Sequence, residues 1–536
     1  MSATAISSAA PGPYAGWTRE QLIERLTLLE KQAHGTDTKS VSTAISTPIP
    51  KEVVPFKRYP DKEFDFSRYA KRKIALKFCY SGWEYGGLAF QLGPTPLPTV
   101  ENVLFDAMVK AKLVDPEGGF DGCGWEKCGR TDRGVSAAGQ VITLWIRSIA
   151  PADDYKPTST TSLSPSLTLH SEETTPNADG EDDFGSLDIA AGPSTSSPSK
   201  PTSEAKPQYE HDYLSILNKI LPDTIRITAW SPVSDAFSAR FSCKFRHYKY
   251  FFSSLGLDIS AMQKAAERLV GEHDFRNLCK LDAQKQITSF KRNILRATVE
   301  PVDPQDPTES GDKMFVFDLV GTAFLYHQVR HIMAILFLVG TGLEPPSVVT
   351  QLMNVEEGLE PMHPDDAAAF PNGSYPVVDS KPEYQMADAL PLMLWDCGYN
   401  PAELDWRTTG KPDDGGGKKA TGGDLYNQLQ AIHNRSRVFS ALDQYFLRAV
   451  GEFHHPPAPI FPLKRPEDVA AIVQAKEAMN IPLGGGTFKR SLKHVPLMQR
   501  KRLDTVEVMN ERWRLGKGSR RDEKKKGADV EDDGNE

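Results

Sequence analysis

Gly129-Arg130-Thr131-Asp132-Arg133-Gly134-Val135 is the stretch on which the reading of this chain turns. An aspartate between two arginines is favoured as the charged carboxylate, which suits a nucleophile or a charge stabiliser and not a general acid. Glycines at 129 and 134 allow the backbone to turn sharply and to approach a ligand closely. On these residues alone, a surface Asp–Arg ion pair in a turn fits equally well. Outward from the stretch, Gln140 to Arg147 reads as a strand. On its other side Ile74, Leu76, Phe78 and Tyr80 alternate with Lys73, Ala75, Lys77 and Cys79, the pattern of a half-buried strand with a basic, solvent-facing side. A turn-rich segment, Ser81-Gly82-Trp83-Glu84-Tyr85-Gly86-Gly87, follows, and then a helix from about Val100 with Val103, Leu104, Ala107 and Met108 inward. Strand, helix, loop and strand make a compact α/β unit.

At 536 residues the chain exceeds the size at which one core stops growing. Apolar residues reach only 39%, Gly and Pro number 40 each, and the mean hydropathy is −0.43, so a folded core is diluted by polar segments. The net charge of −8 is unevenly spread. Residues 151–207 hold ten acids against three bases and residues 346–385 seven against one, which leaves the rest of the chain at +5. A mildly basic body with acidic loops is compatible with a polyanionic ligand and equally with many ordinary enzymes. Six cysteines without a secretory pattern read as reduced thiols, and no second Cys/His pair supports zinc at Cys123 and Cys128. The longest apolar run, Ile332 to Val339, is too short to cross a bilayer. A soluble intracellular protein is expected.

Near the N-terminus, Thr18-Arg19-Glu20-Gln21 reads as a capping box opening a helix with Leu22, Leu26 and Leu29 on one stripe. The Ser/Thr/Pro/acid-rich stretch 151–207 reads as a disordered insertion. Beyond it the pattern predicts a helix through Leu214, Leu217 and Ile220, a strand from His247 to Ser253, a helix capped by Asp258, and strands near 291–300 and 313–320. The strongest helix runs from about Ala323 to Val339, with Leu325, Val329, Ile332, Leu336 and Val339 inward, Gly340 as its C-terminal cap and His327, Arg330 and His331 on its polar face. His327 and His331 lack a third ligand for a metal. Residues 346–385 read as a second acidic loop, Leu390 to Cys397 as a strand, Gly415 to Gly423 as a linker, and the tail from Arg514 as a disordered charged segment.

The string 129–137, Gly-Arg-Thr-Asp-Arg-Gly-Val-Ser-Ala, resembles the signature of TruA-type tRNA pseudouridine synthases. Further segments match in order: Tyr80 to Gly87, Phe237-Ser238-Ala239-Arg240-Phe241-Ser242 with Tyr248-Lys249-Tyr250, Gly271-Glu272-His273-Asp274-Phe275, and Phe324-Leu325-Tyr326-His327-Gln328-Val329-Arg330. The resemblance covers roughly residues 70–400 apart from the two acidic stretches. Phe275 to Asp282 and the N-terminal helix look most like the eukaryotic branch that acts on uridines 38 and 39 of the tRNA anticodon stem-loop. Branches acting on other tRNA positions or other RNAs share the catalytic segments.

The resemblance implies an α/β (α+β) fold, with a largely antiparallel sheet and flanking helices in two pseudo-symmetric halves around a cleft. It implies conversion of uridine to pseudouridine with no cofactor or metal, with Asp132 in the place of the indispensable aspartate. Attack at C1′, attack at C6 and help in removing a 2′ proton all stay open. Because a stacked uridine is unreachable, the base must leave the helix. Arg130 matches the arginine supporting the flipped base, Tyr248 the tyrosine stacking on the uracil, Arg330 the partner of the aspartate, and Leu392, with Leu394 beside it, the leucine closing over the base. tRNA is the implied partner, and bacterial members are homodimers. Nuclear and cytoplasmic locations are both compatible with the basic tail clusters.

The domain reading is 1–69 N-terminal helix and tether, 70–150 first catalytic half, 151–207 insertion, 208–405 second half with the 346–385 loop, 406–513 C-terminal extension, and 514–536 tail. A non-catalytic tRNA chaperone of the same fold is disfavoured by the presence of Asp132. A glycosidase is disfavoured because the segment offers one carboxylate where that chemistry usually uses two.

Overall fold

The computed structural model describes residues 64–91, 93, 95–149, 210–305, 312–410, 422–456, 460–464 and 478–518. The N-terminal helix, the 151–207 insertion, most of the linker and the tail beyond 518 lie outside them. The first half starts with β1 (Lys71–Tyr80), whose Ile74, Leu76, Phe78 and Tyr80 are buried as their alternation predicts. Helix α1 (Val100–Lys110) opens on Thr99, whose hydroxyl accepts from the Asn102 amide, and buries Val100, Leu104, Ala107 and Met108. The short β2 (Glu126–Lys127) and long β3 (Ser136–Arg147) follow, then α2 (Tyr213–Asn218) and β4 (Ile225–Pro232). Strand β1 pairs antiparallel with both β3 and β4, and the apolar faces of these elements meet in one core.

The second half contains β5 (Phe245–Ser253), α3 (Ile259–Glu267), β6 (Gly271–Asp274), β7 (Lys291–Pro301) and β8 (Met314–Gly321). Asp258 caps α3 by accepting from the Ala261 amide. Helix α4 (Gln328–Gly340) is buried on nearly every side and anchors the second core. It begins five residues later than its sequence pattern suggests, because His327 takes a left-handed conformation, φ 59°, that no helix can include. Gly340 is the helix's last residue, and it is Gly342, φ 76°, that supplies the left-handed turn after it.

Last comes β9 (Leu392–Gly398), which slots between the halves: it runs parallel to β3, with Ala137 opposite Leu394, and antiparallel to β5. The result is one sheet ordered β4-β1-β3-β9-β5-β8-β7-β6, with β2 also paired to β3. Every strand pairing in it but β3–β9 is antiparallel, and helices flank it.

The stretch 346–385 is not the open acidic loop that its composition suggests. It begins with helix α5 (Val348–Met353), every residue of which is buried, and Tyr375 and Val378 also enter the core. Two of its seven acids meet bases from the second half: Glu360 bonds His273 at 2.9 Å, and Asp366 bonds Arg268 at 2.5 Å and the Tyr375 hydroxyl. Beyond residue 406 lie α6 (Gly422–Gly451), an exposed helix, a hairpin of β10 (Met479–Gly484) and β11 (Thr487–Ser491), and α7 (Val506–Trp513). Residues 514–518 continue helically past α7, so the tail starts later than its charge pattern indicates.

His331 is not on a polar face either. It is 6% exposed, and the Lys381 ammonium lies 3.2–3.3 Å from its ring nitrogens and donates to the Cys279 carbonyl. Burial, reinforced by the Lys381 charge, pushes the His331 pKa down to about 2, and burial pushes Lys381 down to about 8. An unfolded chain protonates His331 near pH 6.5, whereas the folded one does so only near 2. Acidification through that window therefore favours unfolding, and stability is lost as pH falls. The thermal midpoint of His331→Gln should consequently fall less steeply than that of wild type between about pH 7 and about pH 5, measured by circular dichroism.

The segment between β1 and α1 packs directly on the loop holding Asp132. The Gly82 amide donates to Ser136 Oγ at 3.0 Å, and a Cβ at Gly82 would meet the Val135 carbonyl oxygen at 2.0 Å. Gly87, φ 106°, approaches the backbone of Thr131, Asp132 and Arg133 within 3.2–3.4 Å of where its Cβ would be. Gly82→Ala must therefore displace the loop. It should lower stability by about 1–3 kcal/mol in chemical denaturation and remove most of the activity in steady-state assays.

Candidate active site

Asp132 opens a tight turn in which the Val135 amide donates to the Asp132 carbonyl at 3.1 Å, and Gly134, φ 86°, occupies the position that needs a residue without a side chain. The preceding residues are fixed from below. The Tyr80 hydroxyl and Thr131 Oγ1 lie 2.5 Å apart, the Leu88 amide donates to the Thr131 carbonyl, and Gln140 Nε2 donates to the Gly129 carbonyl at 3.0 Å. The first half thus holds the loop rigidly while the Asp132 side chain stays 27% exposed.

The second half brings the start of α4 against that side chain. His327 Nε2 lies 3.1 Å and Arg330 Nη1 3.6 Å from the same oxygen, Asp132 Oδ2. Arg330 is itself fixed, since its Nε donates to the Ala387 carbonyl at 2.8 Å and its own carbonyl accepts from the Ala387 amide. The halves are also tied beside the site by Arg246, which donates to the carbonyls of Cys128 and Thr322. Arg330 pairs with Asp132 as the motif order implied. Arg130 and Arg133 do not: both side chains are exposed and neither bonds Asp132, so the flanking charges seen in sequence are not the ones that hold the carboxylate. An exposed guanidinium at Arg130 is free to meet a polyanion.

Tyr248 lies on β5, half-buried, with its ring edge-on to Phe324 at 5.0 Å. Burial pushes its pKa up, and the nearby Asp132 charge acts in the same direction, so the hydroxyl stays protonated. Its direct neighbour across β9 is Leu394, with Leu392 two pairs further along opposite Tyr250. Leu394 packs with the first core, and Leu392 with the second, in the cluster that includes Val135. Both leucines are strand core on the face that carries Tyr248.

Sequence reasoning missed His327 as a partner of Asp132. Nothing in the string Tyr326-His327-Gln328 announces a left-handed residue, a conformation that costs a non-glycine about 1–3 kcal/mol. Nor are Lys73 and Lys77 a free basic face: Lys77 bonds Asp396 at 2.6 Å and Lys73 donates to the Asp235 carbonyl. Among the described residues no group of three His, Cys, Asp or Glu side chains is placed to hold a metal, and no helix is long and apolar enough to cross a membrane.

The arrangement is that of a single, partly exposed carboxylate where the two halves meet, with a protonated tyrosine near it. A family model described as tRNA pseudouridine synthase matches residues 265–377, a stretch that includes α4 but not Asp132. The chain is 39% identical over 410 residues to the tRNA pseudouridine(38/39) synthase of Saccharomyces cerevisiae, covering 75% of each. It is 38% identical over 342 residues to the human protein of the same name, covering 63% of this chain and 58% of that one. It is 30% identical over 336 residues to tRNA pseudouridine synthase A of Methanothrix thermoacetophila, 62% of this chain and 85% of that one. Likeness on that scale belongs to a whole folded body and not to a motif, and the chain is a member of the tRNA pseudouridine synthase family.

Proposed function

We propose that this protein converts uridine to pseudouridine at positions 38 and 39 of tRNA, in the anticodon stem-loop, with Asp132 as the nucleophile. The observation that carries the reading is the Asp132 carboxylate held on one oxygen by His327 and Arg330. The position assignment is supported by the printed names of the yeast and human relatives. The isomerisation breaks the N-glycosidic bond and joins C5 of the same uracil to the ribose, so nothing is gained or lost. A positioned carboxylate supplies a charge and a lone pair for that step. Arg330 keeps the charge in place at the cleft edge. Tyr248 offers a flat ring on which uracil stacks, and Arg130 an exposed cation for the backbone or the gap left by the extruded base.

The protein works as a homodimer in this reading. Helix α6 leaves Phe439, Leu442, Tyr445, Phe446 and Leu447 exposed, and apolar surface of this kind marks an interaction site. Light scattering on the full chain should give twice the monomer mass, and a monomer at micromolar concentration overturns the assignment.

Asp132→Ala should lower pseudouridine formation on a tRNA transcript by more than about a thousandfold while leaving tRNA affinity within a few-fold of wild type. Turnover retained in that variant refutes the nucleophile. Pseudouridine mapping in cells lacking the protein should show loss at 38 and 39, and loss confined to other positions refutes the substrate assignment.

A further inference from the structure

We propose that His327 is a positioning residue: its Nε2–H holds Oδ2 of Asp132, which leaves Oδ1 as the oxygen that meets the substrate. The inference rests on the reading of Asp132 as the reacting group and adds the atom and the residue that orients it.

His327 stands where a helix N-cap would, yet its imidazole caps nothing. Ser, Thr, Asp or Asn in extended conformation is the usual choice there, with a side chain turned to the helix amides. Here the backbone is left-handed, φ 59° and ψ 13°, and the ring nitrogen lies 3.1 Å from a carboxylate of the other half. A carboxylate oxygen only accepts, so the proposed role requires the tautomer with the proton on Nε2. The ring is 7% exposed, one face lies against Tyr326 at a centroid distance of 3.8 Å, and Nδ1 has no partner among the described residues. The 3.1 Å approach to Asp132 is therefore the ring's polar contact among those residues, and helix initiation does not account for it.

Arg330 and His327 do different things to the same oxygen. The Arg330 contact is longer, 3.6 Å, and this guanidinium is committed through Nε to Ala387, so it supplies charge. The His327 contact is short and comes from a ring held by packing, so it supplies direction. A carboxylate turns easily about its last torsion, a broad sp³–sp² rotor. The nearest approach of both His327 and Arg330 to the group is to Oδ2, and two cationic or N–H-bearing side chains converging on one oxygen limit how far the group can turn. Releasing Oδ2 lets both oxygens wander, and misplacement on the ångström scale costs about a hundredfold in rate.

Four variants test this on a tRNA transcript, with kcat and KM measured separately. His327→Gly suits the left-handed backbone and removes the ring, so it should fold at least as well as wild type. Its kcat should fall by about ten- to a hundredfold with KM unchanged, and added imidazole should restore most of the loss. His327→Gln places an amide nitrogen where Nε2 was and should keep kcat within about fivefold of wild type. His327→Asn tolerates the backbone but is too short to reach Oδ2, and it should resemble the glycine variant. A fully active His327→Gly or His327→Asn, a loss confined to KM, or a lost kcat that imidazole leaves unchanged overturns the proposal. Asp132→Ala runs beside them: turnover there removes the underlying reading, whereas an inactive Asp132→Ala with a fully active His327→Gly removes only the role of His327.

Discussion

A partly buried carboxylate must be given counter-charge, and the architecture of this chain follows from where that charge comes from. The Asp132 loop belongs to the first half and its partners, His327 and Arg330, to the second. Neither half has a complete site. The constraint explains why α4 must start where it does and why Arg330 is braced on Ala387. It also explains why Arg246 reaches from β5 to the carbonyls of both Cys128 and Thr322. These contacts fix the separation of the two halves at the one place where an error of an ångström would matter.

The same economy of charge recurs away from the cleft. Asp318, buried on β8, gathers His247, Lys249 and Arg296 at 2.5–2.7 Å. Burial opposes its ionisation, but hydrogen bonds from His247 and Lys249 outweigh that and hold its pKa well below the usual carboxylate range. Lys77 is tied to Asp396 and Arg268 to Asp366. Bases that would look like a polyanion-binding surface in a residue count are thus neutralised inside the fold. The exposed Arg130 beside the cleft acquires its significance from that contrast.

What could be read from sequence was what is encoded locally. Alternation in β1, the Asp258 cap and the turn glycine Gly134 all reflect neighbours within a few residues, and the structure has them, whereas Gly129 has no positive φ and open space beside it. What could not be read depends on partners far away in the chain. Glu360 and Asp366 looked like solvated charge because His273 and Arg268 are distant in sequence. Arg130 and Arg133 looked like the aspartate's partners because they adjoin it, while the actual contacts come from α4 and the residue before it. His331 looked like a polar-face residue because helical periodicity does not report a helix covered on all sides. The left-handed His327 had no signal, because its nearest polar neighbour, Asp132, lies far away in the chain.

Strand β9 carries a consequence for how the protein comes into being. It sits at the middle of the sheet, against β3 on one side and β5 on the other, yet it is the last strand of the sheet to be reached along the chain. During synthesis the first half can assemble β1, β3 and β4, and the second its own antiparallel strands, while the seam between them stays open until residue 398 has left the ribosome. Until then two unpaired strand edges face each other, the kind of surface that invites wrong partners. Pairing Ser136 with Met393 closes a very long loop, and contacts of such sequence separation form slowly. Joining the halves and completing the catalytic cleft therefore coincide in time: a nascent chain that has not yet inserted β9 has both halves of the site and no active site.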